Sequence, residues 1–142
     1  MDKLLALMFP GGKRSNEAIP ATAGNAVYNL SPPSGKRWLV LRGRITLVND
    51  ATVANRQIRI EVTDGTNITE VIGRGSAIAG SATGHLSIGE LNYQKGVTVG
   101  HADDYIGLNP PVLLEDADQL RITIDAGVVG DSYTGHFVVL EL

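Results

Sequence analysis

The stretch RWLVLRGRITLVNDATVANRQIRIEV, residues 37–62, determines how this chain folds. Apolar residues alternate with polar ones on both sides of a polar connection. Before it they stand at odd positions, Leu39, Leu41, Ile45 and Leu47, and after it at even positions, Ile58, Ile60 and Val62. A period of two is typical of half-buried β-strands, because an amphipathic helix repeats its apolar residues every three to four positions. We therefore predict two strands, at about residues 37–48 and 56–63, that pair antiparallel and place these apolar residues in the core. Trp38 has the opposite parity, so it either packs under the N-terminal residues or a neighbouring copy, or lies partly exposed on the surface.

Short segments with the same alternation recur along the rest of the chain, separated by turn signals rich in Gly, Pro, Asp and Asn. A strand at about residues 120–125 is predicted to face the core with Leu120, Ile122 and Ile124. Another strand is predicted at 132–142. The Asp-Gly dipeptide within Thr63–Asn67 is typical of a type I′ hairpin turn.

About eight short strands at turn-punctuated spacing predict an all-β fold. We expect a single β-sandwich or jelly-roll-like domain at residues 32–142, preceded by an extended N-terminal arm at residues 1–31. The arm begins with an apolar cluster: Leu4, Leu5, Leu7, Met8 and Phe9. The free energy gained by burying this cluster is about equal to the entropic cost of ordering the backbone of the arm. We therefore expect residues 1 to about 24 to be mobile in a free monomer and ordered in an assembly.

Composition excludes several kinds of chemistry. The chain has 142 residues and no cysteine, which excludes disulfides, thiolate metal sites and cysteine nucleophiles. The formal net charge of −3 argues against a general phosphate-backbone binder, so we expect no nucleic acid partner. No apolar run approaches the ~18 residues of a membrane-spanning helix, so we expect no membrane partner.

No motif in the sequence identifies a catalytic or cofactor site. The three histidines, His85, His101 and His136, are far apart along the chain. His101 with Asp103 and Asp104 could hold a hard cation, but a solvated loop is the simpler and favoured explanation of these residues. No Gly-x-Ser-x-Gly elbow marks a nucleophile. We predict a protein without enzymatic activity, cofactor or metal.

Arginines on the predicted strands suggest a contact surface. Arg42 and Arg44, together with Arg56 and Arg59, are predicted to point away from the core. Two interpretations remain open from the sequence. The face is either solvated, with cross-strand acidic partners such as Glu61, or it is an assembly contact.

Three segments carry a resemblance to a known family: PSGKRWLVL at residues 33–41, NDATVANRQIRI at 49–60 and TDGTN at 63–67. They are similar to small β-sandwich virion structural proteins of tailed bacteriophages. In those proteins a Pro-x-Gly-Lys-x-Trp entry leads into a strand, and a D-A-T-V-x-N-R connection and an Asp-Gly turn follow. The resemblance covers about a quarter of the chain and consists of turn and packing motifs.

The resemblance implies a structural role in a virion, above all that of a capsid decoration (cement) protein, with a minor capsid or tail-associated protein as a close alternative. The implied partners are the major capsid protein and neighbouring copies of the chain, with a trimer favoured. The implied location is the capsid surface of a virion whose proteins are made in the host cytoplasm. The candidate assembly contacts are Leu4, Leu5, Leu7, Met8, Phe9, Trp38, Arg42 and Arg44. A carbohydrate-binding module is a further β-sandwich candidate, but sugar stacking needs exposed aromatics and the chain has one Trp, four Tyr and two Phe.

Overall fold

A computed structural model describes residues 10–89, 101–108 and 111–142. Within these residues the chain forms ten strands and no helix: β1 Lys13–Ala23, β2 Tyr28–Leu30, β3 Trp38–Val48, β4 Gln57–Thr63, β5 Ile68–Arg74, β6 Thr83–Gly89, β7 His101–Gly107, β8 Val112–Leu114, β9 Gln119–Asp125 and β10 Ser132–Glu141. Accordingly, none of the described residues belongs to a helix that could cross a lipid bilayer. The predicted all-β fold is confirmed.

The strands form two sheets that pack against each other as a sandwich. Sheet A has the order β1-β10-β3-β6-β7, with β8 beside the first residues of β3, and sheet B has the order β2-β9-β4-β5. Four antiparallel pairs are nested along the chain: β1 with β10, β2 with β9, β3 with β8, and β4 with β5. This nesting, folded across two sheets, is the strand order of a jelly roll. Strand β6 adds to sheet A beside the later residues of β3, and β7 pairs parallel with β6.

The core lies between the two sheets and contains most of the residues that the alternation predicted. Those confirmed in it are Ile45, Leu47, Ile58, Ile60, Val62, Leu120, Ile122 and Ile124. From sheet A, Phe137 on β10 adds its ring directly over Gly43 on β3. Any side chain at position 43 would collide with that ring, which explains a glycine in the middle of a central strand.

A β-bulge in β3 overturns the predicted orientation of its first residues. Val139 pairs with Val40 and Val138 pairs with Arg42, so Leu41 is an extra residue on this strand. A bulge reverses which parity faces inward. Before it, Trp38 and Val40 therefore point into the core, while Leu39 is buried outside the core cluster and Leu41 is half-exposed. The predicted core position of Leu41 is wrong, whereas Leu39 is buried as predicted but lies outside the main core cluster.

The same bulge determines the environment of Trp38. Its side chain is 4% exposed within the single chain and belongs to the core. The partly exposed alternative is therefore wrong, and so is a contact of Trp38 with a neighbouring copy. Whether the first nine residues also contact Trp38 lies outside the described residues.

We predict that acrylamide quenches the fluorescence of Trp38 weakly in the isolated protein, because the core shields the indole. Trp38 is the only tryptophan, so the emission spectrum reports this side chain alone. A Stern–Volmer titration, compared with the urea-unfolded chain, measures the shielding. Equal quenching constants in the folded and unfolded protein would contradict the bulged register of β3.

The boundary predicted between arm and sandwich is also wrong. Strand β1, within the predicted arm, pairs with β10 along most of its length, and Ile19 is buried in the core. The sandwich therefore begins at Lys13, and residues 13–30 are part of its sheets. The apolar cluster at the start of the chain, Leu4, Leu5, Leu7, Met8 and Phe9, lies outside the described residues, and its contacts remain a prediction.

Two local predictions need correction. His101–Gly107 is strand β7, whereas a loop was predicted for residues 101–104. The connection between β4 and β5 is not a type I′ turn, because only Gly65 in it has a positive φ, at 92°. The Asp64 carboxylate instead accepts hydrogen bonds from the backbone N–H groups of Thr66 and Asn67, at 2.8 and 2.7 Å. These bonds lower the pKa of Asp64 below its usual value.

Candidate functional site

The outer face of sheet A carries two exposed arginines, Arg42 and Arg44, as the sequence predicted. In the part of the chain that the structure describes, no carboxylate lies within ion-pair distance of either guanidinium. Arg44 is opposite His136 on β10 and Ser87 on β6, and Arg42 is opposite Val138. None of these neighbours is acidic. Among the described residues of this face, Arg42 and Arg44 therefore lack the acidic cross-strand partners that one interpretation required.

The outer face of sheet B shows the opposite arrangement. Arg59 lies 3.3 Å from Glu61 and 3.0 Å from Asp125, and Arg74 lies 3.0 Å from the other oxygen of Asp125. Glu61 is thus an acidic partner, but of Arg59 on its own strand and not across strands. Arg59 and Arg74 on sheet B are paired with carboxylates, whereas Arg42 and Arg44 on sheet A have no carboxylate partner among the described residues.

Arg56, which the sequence placed on the same outward row, is fully buried. Its Nε donates to Asp131 at 3.0 Å and its Nη2 donates to Asp50 at 3.0 Å. Its Nη1 donates to the carbonyl oxygens of Thr52 and Ala54, at 2.7 and 2.8 Å. The predicted outward orientation is wrong, and Arg56 is an internal cross-link. The D-A-T-V-x-N-R connection therefore contains a packing motif, in which Arg56 links its own loop to Asp131.

The sequence predictions included neither Asp50 nor Asp131. Asp131 also accepts hydrogen bonds from the backbone N–H groups of Asp50 and Val128, both at 2.9 Å. Burial alone would raise the pKa of Asp131, but these two bonds and the Arg56 guanidinium outweigh it and lower that pKa below 3.8. Asp131 therefore remains a carboxylate at neutral pH.

This cluster holds together four loops at one end of the sandwich, which we call the loop end: residues 24–27, 49–56, 75–82 and 126–131. Gly24 N–H donates to the carbonyl of Asp131 at 2.9 Å, and Ser81 N–H donates to the carbonyl of Asp50 at 2.6 Å. The Asn49 side-chain amide donates to the carbonyls of Ile78 and Ala79, at 3.1 and 2.8 Å. Each loop is thereby connected to another through a short hydrogen bond.

The outer surface of the loop end exposes three valines. Val53 is 98% exposed, Val129 is 77% exposed, and Val27 is half-exposed. Arg56 and Asp131 are fully buried, whereas the Asp50 side chain is 30% exposed. Exposed apolar residues that lie together are typical of protein–protein contact sites.

The outer face of sheet A carries a row of polar side chains whose residue types could serve catalysis or metal binding. Thr46 Oγ1 lies 2.9 Å from His85 Nδ1, and His85 is beside Asp103 in the register of β6 and β7. The backbone around Thr46 is engaged by β10 on one side and β6 on the other, so it offers no free N–H donors for an oxyanion. Asp104 accepts bonds from the backbone and hydroxyl of Ser76, both at 2.6 Å. Over residues 10–89, 103–108 and 111–142, no group of three or more His, Asp or Glu side chains could hold a metal ion.

Among the aromatic residues, Trp38, Tyr133 and Phe137 are all in the core. None of these three can stack on a sugar at the surface. Comparison with protein-family models, with curated proteins and with solved structures finds no match for this chain.

Proposed function

We propose that this chain is a non-enzymatic virion structural protein, a capsid decoration (cement) protein that docks on the major capsid protein. The observation that carries the proposal is the pair Arg42 and Arg44, exposed on sheet A without an acidic partner in the described part of the chain. The jelly-roll strand order supports it, since capsid domains use this architecture. Lectins and cupins use it as well, so the proposal rests on the site and on the turn motifs at residues 33–67.

The chemistry of the two arginines indicates the surface that they would meet. A guanidinium binds a carboxylate through two parallel hydrogen bonds, and an exposed guanidinium keeps this capacity unused until a partner arrives. The whole chain has a net charge of −3, so two neighbouring exposed arginines without acidic partners among the described residues differ from its overall charge. We expect a carboxylate-rich patch on the major capsid protein, with the apolar N-terminal cluster reaching a neighbouring subunit. A tail-associated position is the alternative within the same class.

We predict that the double substitution Arg42→Glu/Arg44→Glu weakens binding to phage heads by about tenfold or more, because it places carboxylates against carboxylates. Co-sedimentation with heads that lack the protein measures the binding at several salt concentrations. The matched control is Lys13→Glu/Lys36→Glu, which reverses two exposed charges elsewhere on the sandwich. Equal binding by the two variants would exclude the arginine face as the docking surface.

Mass spectrometry of purified virions tests the broader role. The chain is expected in separated heads at a copy number that follows the capsid lattice. Its presence in tails alone would select the tail-associated alternative, and its absence from virions would overturn the proposed function.

A further inference from the structure

The outer face of sheet A carries an apolar patch at the end that lies away from the loop end. Val138 on β10 pairs with the exposed Arg42, so both side chains point away from the core, and Leu140 follows on the same side. Leu140 pairs with Leu39 on β3, and Leu39 pairs with Leu113 on β8. We call these four residues the apolar patch: Leu39, Leu113, Val138 and Leu140.

Three residues of the apolar patch are buried, although sheet B packs on the other face of sheet A. Leu39, Val138 and Leu140 are each 8–9% exposed, and none of them belongs to the core between the sheets. By contrast Thr134 and His136, on the same face of β10 towards the loop end, are exposed. An antiparallel sheet packed on one face normally presents polar residues to water on the other. Buried leucines there indicate a cover from outside the two sheets.

The described chain begins this cover at Gly12. A Cβ atom at Gly12 would lie 3.0 Å from Cγ and Cδ1 of Leu140, so the Gly12 backbone packs on that side chain. Gly11 before it has a φ of 91°, which turns the chain as it enters β1. Residues 1–9 are therefore attached to the sandwich beside the apolar patch.

The length and composition of residues 1–9 match the apolar patch. The patch extends over three adjacent strands, β10, β3 and β8, and is about 10 Å wide because neighbouring strands lie about 5 Å apart. Nine extended residues reach about 30 Å. Most of them are apolar and large: Leu4, Leu5, Leu7, Met8 and Phe9. Attachment to the same chain gives this cluster an effective concentration of about millimolar at the patch, without any second molecule.

The apolar patch also changes the free-energy balance drawn from the sequence. In that balance, the burial of the N-terminal cluster about equalled the entropic cost of ordering it, and only the cluster was counted. Docking on the patch removes Leu39, Val138 and Leu140 from water as well. Apolar area buried on both sides of the contact favours the ordered segment.

We propose that residues 1–9 fold back over the apolar patch of their own chain. The proposal differs from the mobile arm that the sequence predicted for a free monomer. It concerns the free chain and uses neither Arg42 nor Arg44, so it does not rest on the proposed function. Contact of the N-terminal cluster with a neighbouring subunit then requires the cluster to leave the patch when the chain docks.

Backbone order parameters from NMR relaxation of the full chain test the proposal. We expect values of about 0.85 for residues 4–9, as for rigid backbone, and values below about 0.6 in Leu140→Glu, which places a carboxylate in the apolar patch. The matched control is Val48→Glu, at a 50% exposed position on the same face of β3 near the loop end, which should leave residues 4–9 ordered. Low order parameters in the native chain would overturn the proposal, as would unchanged values in Leu140→Glu.

A nitroxide label identifies which chain provides the patch, and it gives a result even if Leu140→Glu does not fold. The chain has no cysteine, so Leu113→Cys, at a 42% exposed position across the patch from β1, offers a single labelling site. The label should broaden the amide signals of residues 4–9 of its own chain. Mixed with isotope-enriched chains that carry no label, labelled chains without enrichment should leave those signals sharp. Broadening in the mixture would assign the contact to a second copy and overturn the proposal.

Discussion

Replacing Asp131 by asparagine is expected to lower the free energy of unfolding by about 3–5 kcal/mol, because it leaves the Arg56 charge buried without its one fully buried carboxylate partner. Both side chains are fully buried and lie 3.0 Å apart. Asp131→Asn also weakens the acceptor for the backbone N–H groups of Asp50 and Val128. Chemical denaturation with a two-state fit measures the loss.

The matched control for this prediction is Asp50→Asn, which removes the second carboxylate that Arg56 contacts. The Asp50 side chain is 30% exposed, so water screens its interaction and we expect a loss of about 1 kcal/mol. Equal losses for the two variants would contradict a specific role for the buried pair.

Acid should reproduce the effect of this substitution in the native protein. The folded-state pKa of Asp131 is lowered from the ordinary value of 3.8. A lowered pKa contributes stability that is complete above the unfolded-state pKa and is lost as pH falls through the folded-state pKa. Between neutral pH and acid pH, Asp131→Asn should therefore lose less stability than the native protein. Parallel pH dependences would show that Asp131 titrates alike in the folded and unfolded states.

Truncation of Ile122 to alanine is expected to lower the free energy of unfolding by about 2–5 kcal/mol, through lost apolar burial and the cavity that remains. Ile122 is fully buried in the middle of β9, between Ile60 on β4 and Tyr28 on β2. Because β9 is flanked on both sides within sheet B, the surrounding strands can close the cavity only partly.

The control for Ile122→Ala is Val71→Ala, at a 62% exposed position on the edge strand β5. It should change the stability by less than about 0.5 kcal/mol. Denaturant titrations of both variants should show the same slope as the native protein. A loss below about 1 kcal/mol for Ile122→Ala would mean that sheet B does not pack as described.

The period-of-two pattern predicted the long strands correctly but failed at the start of β3. Residues 38–41 read Trp-Leu-Val-Leu, so either parity could face the core and the apolar pattern does not reveal the bulge at Leu41. The extra residue is recognised only from its pairing with β10, a strand about 90 residues further along the chain.

Strand β1 was missed for a different reason. It lies at an edge of sheet A and is mostly exposed, so its residues show no apolar alternation. Hydrogen bonds to β10 hold it in place, and Ile19 is its one buried apolar side chain. Hydrogen bonds between backbones do not require particular side chains, so the sequence of β1 does not indicate that it is paired.

The candidate site was predictable in part. Arg42 and Arg44 were expected to face outward, and they do, because the alternation after the bulge is regular. Within the described ranges they have no acidic partner on sheet A, whereas Arg59 has two on sheet B, and this difference depends on which strands lie side by side. Asp50 and Arg56 share one short connection and could have been paired from their charges alone. Asp131 lies 75 residues from Arg56, and nothing local indicates the contact.

By itself the sequence determined the all-β class, the central strands and most of the core, because alternation is a local property that each strand carries independently. Only the tertiary structure decided that Trp38 points inward, that residues 13–30 belong to the sandwich and that Arg56 is buried. It alone also brought Val27, Val53 and Val129 to one end of the sandwich. Each of these outcomes depends on contacts between segments far apart in the chain, and the energy of such contacts is set by strand pairing and burial.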